Sequence, residues 1–135
     1  MSAAVMAAAT LSAQKPKTQW DGIYTTVQAE RGAAKYKQRC AACHAADLSG
    51  GAVEGAPSLN DADFAANWDG TSVGGIYDKI KMLMPQDDPG TLTEQEATDV
   101  LSFILSKGGY PAGAADLPMK SDDLKAIKFV AKKPA

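Results

Sequence analysis

Three stretches of the chain repeat apolar residues at intervals of three and four, the spacing that lays one helix face against a core. The first carries Ala29, Gly32, Ala33, Tyr36 and Cys40. The second carries Val73, Ile76, Tyr77 and Ile80. The third carries Ala97, Val100, Leu101, Ile104 and Leu105, with Phe103 beside them. Each stretch has a start signal. Thr25 and Gln28 stand at capping-box spacing, Thr71 or Ser72 precedes the second stretch, and Thr93 stands three residues before Glu96. In a capping box two side chains satisfy backbone donors that the first helical turn leaves unpaired. Met84-Pro85 ends the second helix, because proline disfavours helix in the residue before it. Lys107 and Gly108-Gly109 end the third. No period-two strand pattern and no internal repeat occurs, so the class is all-α.

The remaining segments are irregular. Residues 45–60 read as a loop broken by Gly50, Gly51, Gly55 and Pro57. Residues 60–66 fit a short helix, and 86–92 form a loop around Pro89-Gly90. Residues 14–24 read as a polar linker with Lys15, Pro16, Lys17 and Trp20. Residues 1–13 are small and apolar and end in Leu11-Ser12-Ala13, the form of a signal-peptide cleavage site. They lack a charged leading segment, so the alternative is a disordered alanine-rich tail. The run is too short to span a bilayer, and no other segment comes close. The expected division is a signal-peptide remnant at 1–13, a linker at 14–24, one domain at 25–107, and a C-terminal extension at 108–135 with room for one short helix at 121–130.

A length of 135 residues fits one domain with a tail. Hydrophobic residues make up 45% of the chain, but aromatics only 7%, so a large buried prosthetic group would help complete the core. Net charge is −2, with Lys and Arg spread along the chain. That distribution argues against a nucleic-acid partner.

The first helix runs straight into Cys40-Ala41-Ala42-Cys43-His44. Cys-x-x-Cys-His is the attachment signature of c-type haem. Cys40 and Cys43 are placed to form thioethers to the vinyl groups, and His44 to ligate the iron from one face. These are the only cysteines and the only histidine in the chain. One haem c per chain is therefore expected, and no disulfide. With no second histidine, methionine is the remaining soft donor for the sixth iron position. Met/His ligation raises the reduction potential, which suits an electron carrier. Met1 and Met6 lie in the signal-like run and Met119 in the extension. Met84 is the stronger axial candidate, because Pro85 ends the helix and lets its thioether project from a loop. Met82 is the alternative; it lies inside the helical pattern, where core packing competes with ligation. The other ring nitrogen of His44 needs an acceptor to fix its tautomer. The Pro57 carbonyl, in Ala56-Pro57-Ser58-Leu59, is the candidate. Trp68 could place its indole N–H on a haem propionate, or serve as a core tryptophan. Tyr77 and Ile80 fit the apolar wall of the pocket. Asp87 and Asp88 read first as a solvated turn, and Lys79 and Lys81 as a polar helix face.

The chain resembles the class I, single-haem cytochromes c. The resemblance rests on Gly32 to Tyr36, Cys40-Ala41-Ala42-Cys43-His44, Ala56-Pro57-Ser58-Leu59, Met84-Pro85 and Asp99-Val100-Leu101-Ser102-Phe103-Ile104-Leu105, in that order. It covers about residues 25–107. It implies a cytochrome c fold of three to five helices wrapped around one covalently bound haem, with extended terminal segments. It also implies that the first and last helices cross, with Gly32 and Tyr36 meeting Val100 and Phe103. More narrowly, the chain is similar to small bacterial cytochromes associated with quinoprotein alcohol and sugar dehydrogenases. Trp20-Asp21-Gly22-Ile23-Tyr24, Asp47-Leu48-Ser49-Gly50-Gly51, Asn67-Trp68-Asp69-Gly70, Pro89-Gly90-Thr91-Leu92 and Gly109-Tyr110-Pro111-Ala112-Gly113 carry that likeness. The Met-Leu-Met run at 82–84 departs from it, because it offers two ligand candidates.

The resemblance implies a soluble, periplasmic or otherwise exported electron carrier rather than an enzyme. Its partners would be redox proteins: a quinoprotein dehydrogenase as donor, and a terminal oxidase or other acceptor. A haem sensor or enzyme subunit with an open or weakly held sixth position is the main alternative. A thioredoxin-like protein would need its Cys-x-x-Cys after a strand. A zinc site would need a fourth good ligand.

Overall fold

Side-chain caps decide where the helices begin. The hydroxyl of Thr25 accepts from Gln28 N (3.1 Å) at the head of α1, Thr26–Arg39. Asp61 accepts from Phe64 N (2.8 Å) and starts α3 at Ala62–Trp68, two residues later than the 60–66 expected. Ser72, rather than Thr71, caps α4, Val73–Leu83. Thr93 and Glu96 form the full capping box of α5, Glu94–Lys107. Two single-turn helices complete the set: α2, Ala41–His44, and α6, Ser121–Lys125. They raise the number above the three to five expected.

The computed structural model describes residues 3–6 and 17–135. Most of the signal-like run at 1–13, and residues 14–16 of the linker, lie outside the described residues. Among the described residues there is no strand, only isolated bridges pairing Lys128 with Thr18 and with Ser72. No described helix is long and apolar enough to cross a membrane.

The core forms where α1 crosses α5. A Cβ on Gly32 would stand 1.8 Å from Asp99 O and 2.9 Å from Phe103 Cβ, so only glycine lets the two backbones approach this closely. Tyr36 stacks on Phe103 with ring centroids 5.2 Å apart. The crossing therefore meets Asp99 and Phe103 at Gly32. Val100, the expected neighbour, is buried beside them.

The capping box expected at Thr25 and Gln28 is only half made. Gln28 Oε1 instead accepts from Leu117 N (2.7 Å), and Nε2 is buried without a partner. The long-range acceptor outcompetes the local one.

That bond belongs to a wider feature. Segments 17–24 and 110–131 lie against each other and against the helices. Gln19 is fully buried; its Nε2 donates to Val130 O (2.5 Å) and its Oε1 accepts from Val130 N (3.0 Å). Trp20 Nε1 also donates to Val130 O (2.9 Å). Leu117, Leu124, Ile127 and Phe129 are all buried, and Phe129 meets Phe64 and Tyr110 edge to face.

Candidate haem-binding site

The Cys-His run grows out of the end of α1. Cys40 N donates to Tyr36 O (2.8 Å), and one new turn follows in which Cys43 N (3.2 Å) and His44 N (3.0 Å) both donate to Cys40 O. Residues three and four apart in such a turn share a face, which gathers Cys40, Cys43 and His44 on one side. Both cysteines are free; Cys40 is half-buried and Cys43 exposed. Burial pushes the Cys40 thiol up to about 11, helped by Cys43 and opposed by Arg39.

The chain then reverses sharply. Ala45 has φ 69° and ψ 156°, a region costing a residue with a side chain on the order of 1–3 kcal/mol. Neighbours hold it there: Ala45 N donates to Ala41 O (2.9 Å), and Tyr36 Oη donates to Ala45 O (2.7 Å). Tyr36 is buried, and desolvation raises its pKa, which keeps it a donor. Gly50 N donates to His44 O (2.8 Å), Gly51 N to Ala56 O (2.9 Å), and Leu59 N to Leu48 O (2.9 Å). These bonds fold the loop back, so that Pro57 O lies 2.9 Å from Nδ1 of the buried His44. A carbonyl only accepts, so Nδ1 is the donor, and in the neutral ring the lone pair is then on Nε2.

Met84 follows the last residue of α4 as its C-cap, with extended backbone (φ −112°, ψ 152°), and is half-buried. Met82, in the last turn of the helix, is 64% exposed and takes no part in the core. The loop after Met84 is fastened to the residue before Cys40. Arg39 donates to Thr91 Oγ1 (2.7 Å) and pairs with Asp88 (3.7 Å), and Thr91 Oγ1 donates to Asp88 O (2.8 Å). Asp88 is thus more than a solvated turn: it helps tie the methionine loop to the cysteine segment. Asp87 is exposed. Trp68 is half-buried, with its ring against Phe64 and over Gly75. Tyr77 and Ile80 are buried.

The residues fit a haem. Two thiols and an imidazole with a free Nε2 share one turn. Val53, in the loop after the Cys-His run and bonded through its N–H to Cys43 O (3.3 Å), and Met82 and Leu83, just before Met84, are apolar side chains left exposed. By contrast, no cluster of three or more His, Cys, Asp or Glu side chains able to hold a bare metal ion occurs among the described residues. Sequence reasoning missed Arg39, Gly50 and the Tyr36 hydroxyl as supports of the site. Only Gly50, within a glycine-rich loop, carried a local signal.

Comparison with known proteins adds a family. Residues 27–104 match the family model described as cytochrome c oxidase, cbb3-type, subunit III. Among solved structures the chain is similar to one from the crystal structure of the sulfane dehydrogenase SoxCD of Paracoccus pantotrophus, with a TM-score of 0.52 and 18% identity. The match covers 82% of this chain and 61% of that one, and at that identity it shows the fold alone. No curated protein matches.

Proposed function

Since the chain belongs to the family described as cytochrome c oxidase, cbb3-type, subunit III, we propose that it carries single electrons on a haem c ligated by His44 and Met84. The family implies covalently bound haem c. Cys40 and Cys43 are its thioether positions in this reading. When bound, the haem supplies a one-electron couple; the protein supplies attachment, ligands and a dry wall.

The observation that carries the reading is the bond between His44 Nδ1 and Pro57 O. It orients the ring, fixes the tautomer and makes Nε2 the better donor. Met84 supports a His/Met pair, because it leaves the helix beside Pro85 on a loop fastened to Arg39. Keeping both axial ligands through oxidation and reduction leaves little to reorganise. Tyr77 and Ile80 exclude water, and Trp68 is assigned to the propionate side.

Electrons would pass at the exposed edge near Cys43, in the small, short-lived contacts usual for redox partners. A quinoprotein dehydrogenase is the donor we favour, on the strength of the Trp20–Tyr24 and Asn67–Gly70 stretches, with a terminal oxidase or other acceptor beyond it. Work in the periplasm or another exported compartment follows from attachment chemistry that operates there. In this reading the chain has no catalytic activity of its own.

The test is an absorption spectrum of the holoprotein, ferric then reduced. We expect a near-infrared methionine-to-iron band that disappears in Met84→Ala and persists in Met82→Ala. The reverse pattern would move the ligand to Met82. A high-spin spectrum with ready carbon monoxide binding would replace the carrier with a haem sensor or enzyme subunit.

A further inference from the structure

The helix that ends in Met84 is held from behind by the C-terminal segment. Val73 N donates to Ile127 O (2.9 Å), Gly70 N to Phe129 O (2.9 Å), and Phe129 N to Thr71 O (3.1 Å). Ser72 and Lys128 pair as an antiparallel bridge. One turn further on, Asp78 accepts from Ser121 Oγ (2.9 Å) and pairs with Lys125 Nζ (3.3 Å). A Cβ on Gly74 would lie 2.5 Å from Lys125 N and Cγ and 2.8 Å from its Cα, so α6 rests directly on the α4 backbone.

These ties run from the start of α4 to its midpoint at Asp78, and Met84 follows its far end. The helix has 11 residues, about 16 Å at 1.5 Å per residue, and a rod that short moves as a unit. A shift or tilt imposed at Gly74 is therefore delivered to Met84. At the front, the half-buried Arg39 fastens the loop that follows through Thr91 and the exposed Asp88, and Leu92 anchors the end of that loop in the core.

We propose that segment 117–130 is a positioning strap, which holds α4 where Met84 can meet the haem iron, with Gly74 and Asp78 as its points of purchase. The proposal rests on Met84 as the sixth ligand. Its consequence is quantitative. An external ligand such as carbon monoxide reaches the ferrous iron only in molecules whose methionine has let go. Its apparent affinity therefore scales with the open fraction, and a tenfold rise in that fraction tightens binding about tenfold.

The experiment compares holoprotein of wild type, Gly74→Val, Asp78→Ala and Met84→Ala. It reads the near-infrared methionine band, carbon monoxide affinity and amide exchange in α4. We expect both strap variants to keep covalent haem, to show a weakened methionine band, and to bind carbon monoxide about tenfold more tightly for Gly74→Val and less for Asp78→Ala. Exchange in α4 should quicken in step. Strap variants that are less stable but keep the wild-type band and carbon monoxide affinity would overturn the strap and leave Met84 as ligand. A wild type that lacks the band and matches Met84→Ala would overturn both.

Discussion

A Cβ on Gly50 would lie 2.5 Å from Pro57 C and from Ser58 N, and 2.7 Å from Ala56 O. All three are backbone atoms of the segment that presents Pro57 O to His44, so none can swing aside. Gly50 also has φ +77°, a conformation that residues with a side chain adopt only at a cost. Gly51 has nearly the same φ, +75°, but open space around it. The pair therefore separates two penalties. Gly51→Ala should cost about 1 kcal/mol from backbone conformation. Gly50→Ala should cost a further 1–3 kcal/mol or so, because it forces the Pro57 segment away. Denaturant unfolding of the two holoproteins measures the difference, and equal costs would mean the loop yields without strain. The thiol and imidazole positions were legible in the sequence because haem chemistry fixes their spacing within five residues. The place of Met84 at the end of α4 was legible because Pro85 marks the helix stop. Tyr36 was legible as core, but its hydroxyl was not legible as the tether of the strained Ala45, since no local pattern encodes that bond.

At the scale of elements, α1, α4 and α5 were legible because their signals are local: a period of three and four, a hydroxyl cap, a proline or glycine stop. The misplaced start of α3 and the unused half of the Gln28 box share a cause, since several nearby residues can serve a helix end and tertiary partners choose among them. The α1–α5 crossing carries a charge pair that makes it sensitive to acid. Lys35 Nζ lies 2.6 Å from Glu96 Oε2, and Glu96 also accepts from Thr93 N (3.0 Å). The Lys35 contact first, and the Thr93 N–H second, hold the Glu96 carboxyl down to about 2 from an ordinary 4.5. A depressed carboxyl stabilises the fold above its unfolded pKa and loses that contribution as pH falls toward the folded one. The loss therefore falls between about 4.5 and about 2. Lys35→Met should flatten the pH dependence of stability in that window, because the variant falls below wild type above about 4.5 and converges with it toward about 2. An unchanged acid slope would mean that the Thr93 cap alone sets the Glu96 pKa.

At the scale of the whole molecule, the chain closes on itself through segments that have no periodicity. From sequence, 14–24 reads as a linker and 108–135 as an extension, because Pro and Gly interrupt them and their apolar residues stand singly. Yet Phe129 and Leu124 are completely buried, and Gln19 is separated by 111 residues from the Val130 it binds. A pairing at that distance leaves no trace in local sequence. Gln19 is the sharpest test of how much the closure contributes. In Gln19→Leu, Val130 O still accepts from Trp20 Nε1, so the carbonyl stays satisfied. Val130 N–H loses its partner and would be left partly buried and unpaired. Such an orphaned group costs about 1–3 kcal/mol. We expect Gln19→Leu to lose about 2 kcal/mol by denaturant unfolding, and limited proteolysis to cut 117–131 sooner than in wild type. If the strap positions α4, the same variant should weaken the methionine band although the hydrogen bonds of Gln19 go to Val130 and not to α4. Loss of stability with an intact band would confine the role of Gln19 to closing the ends of the chain.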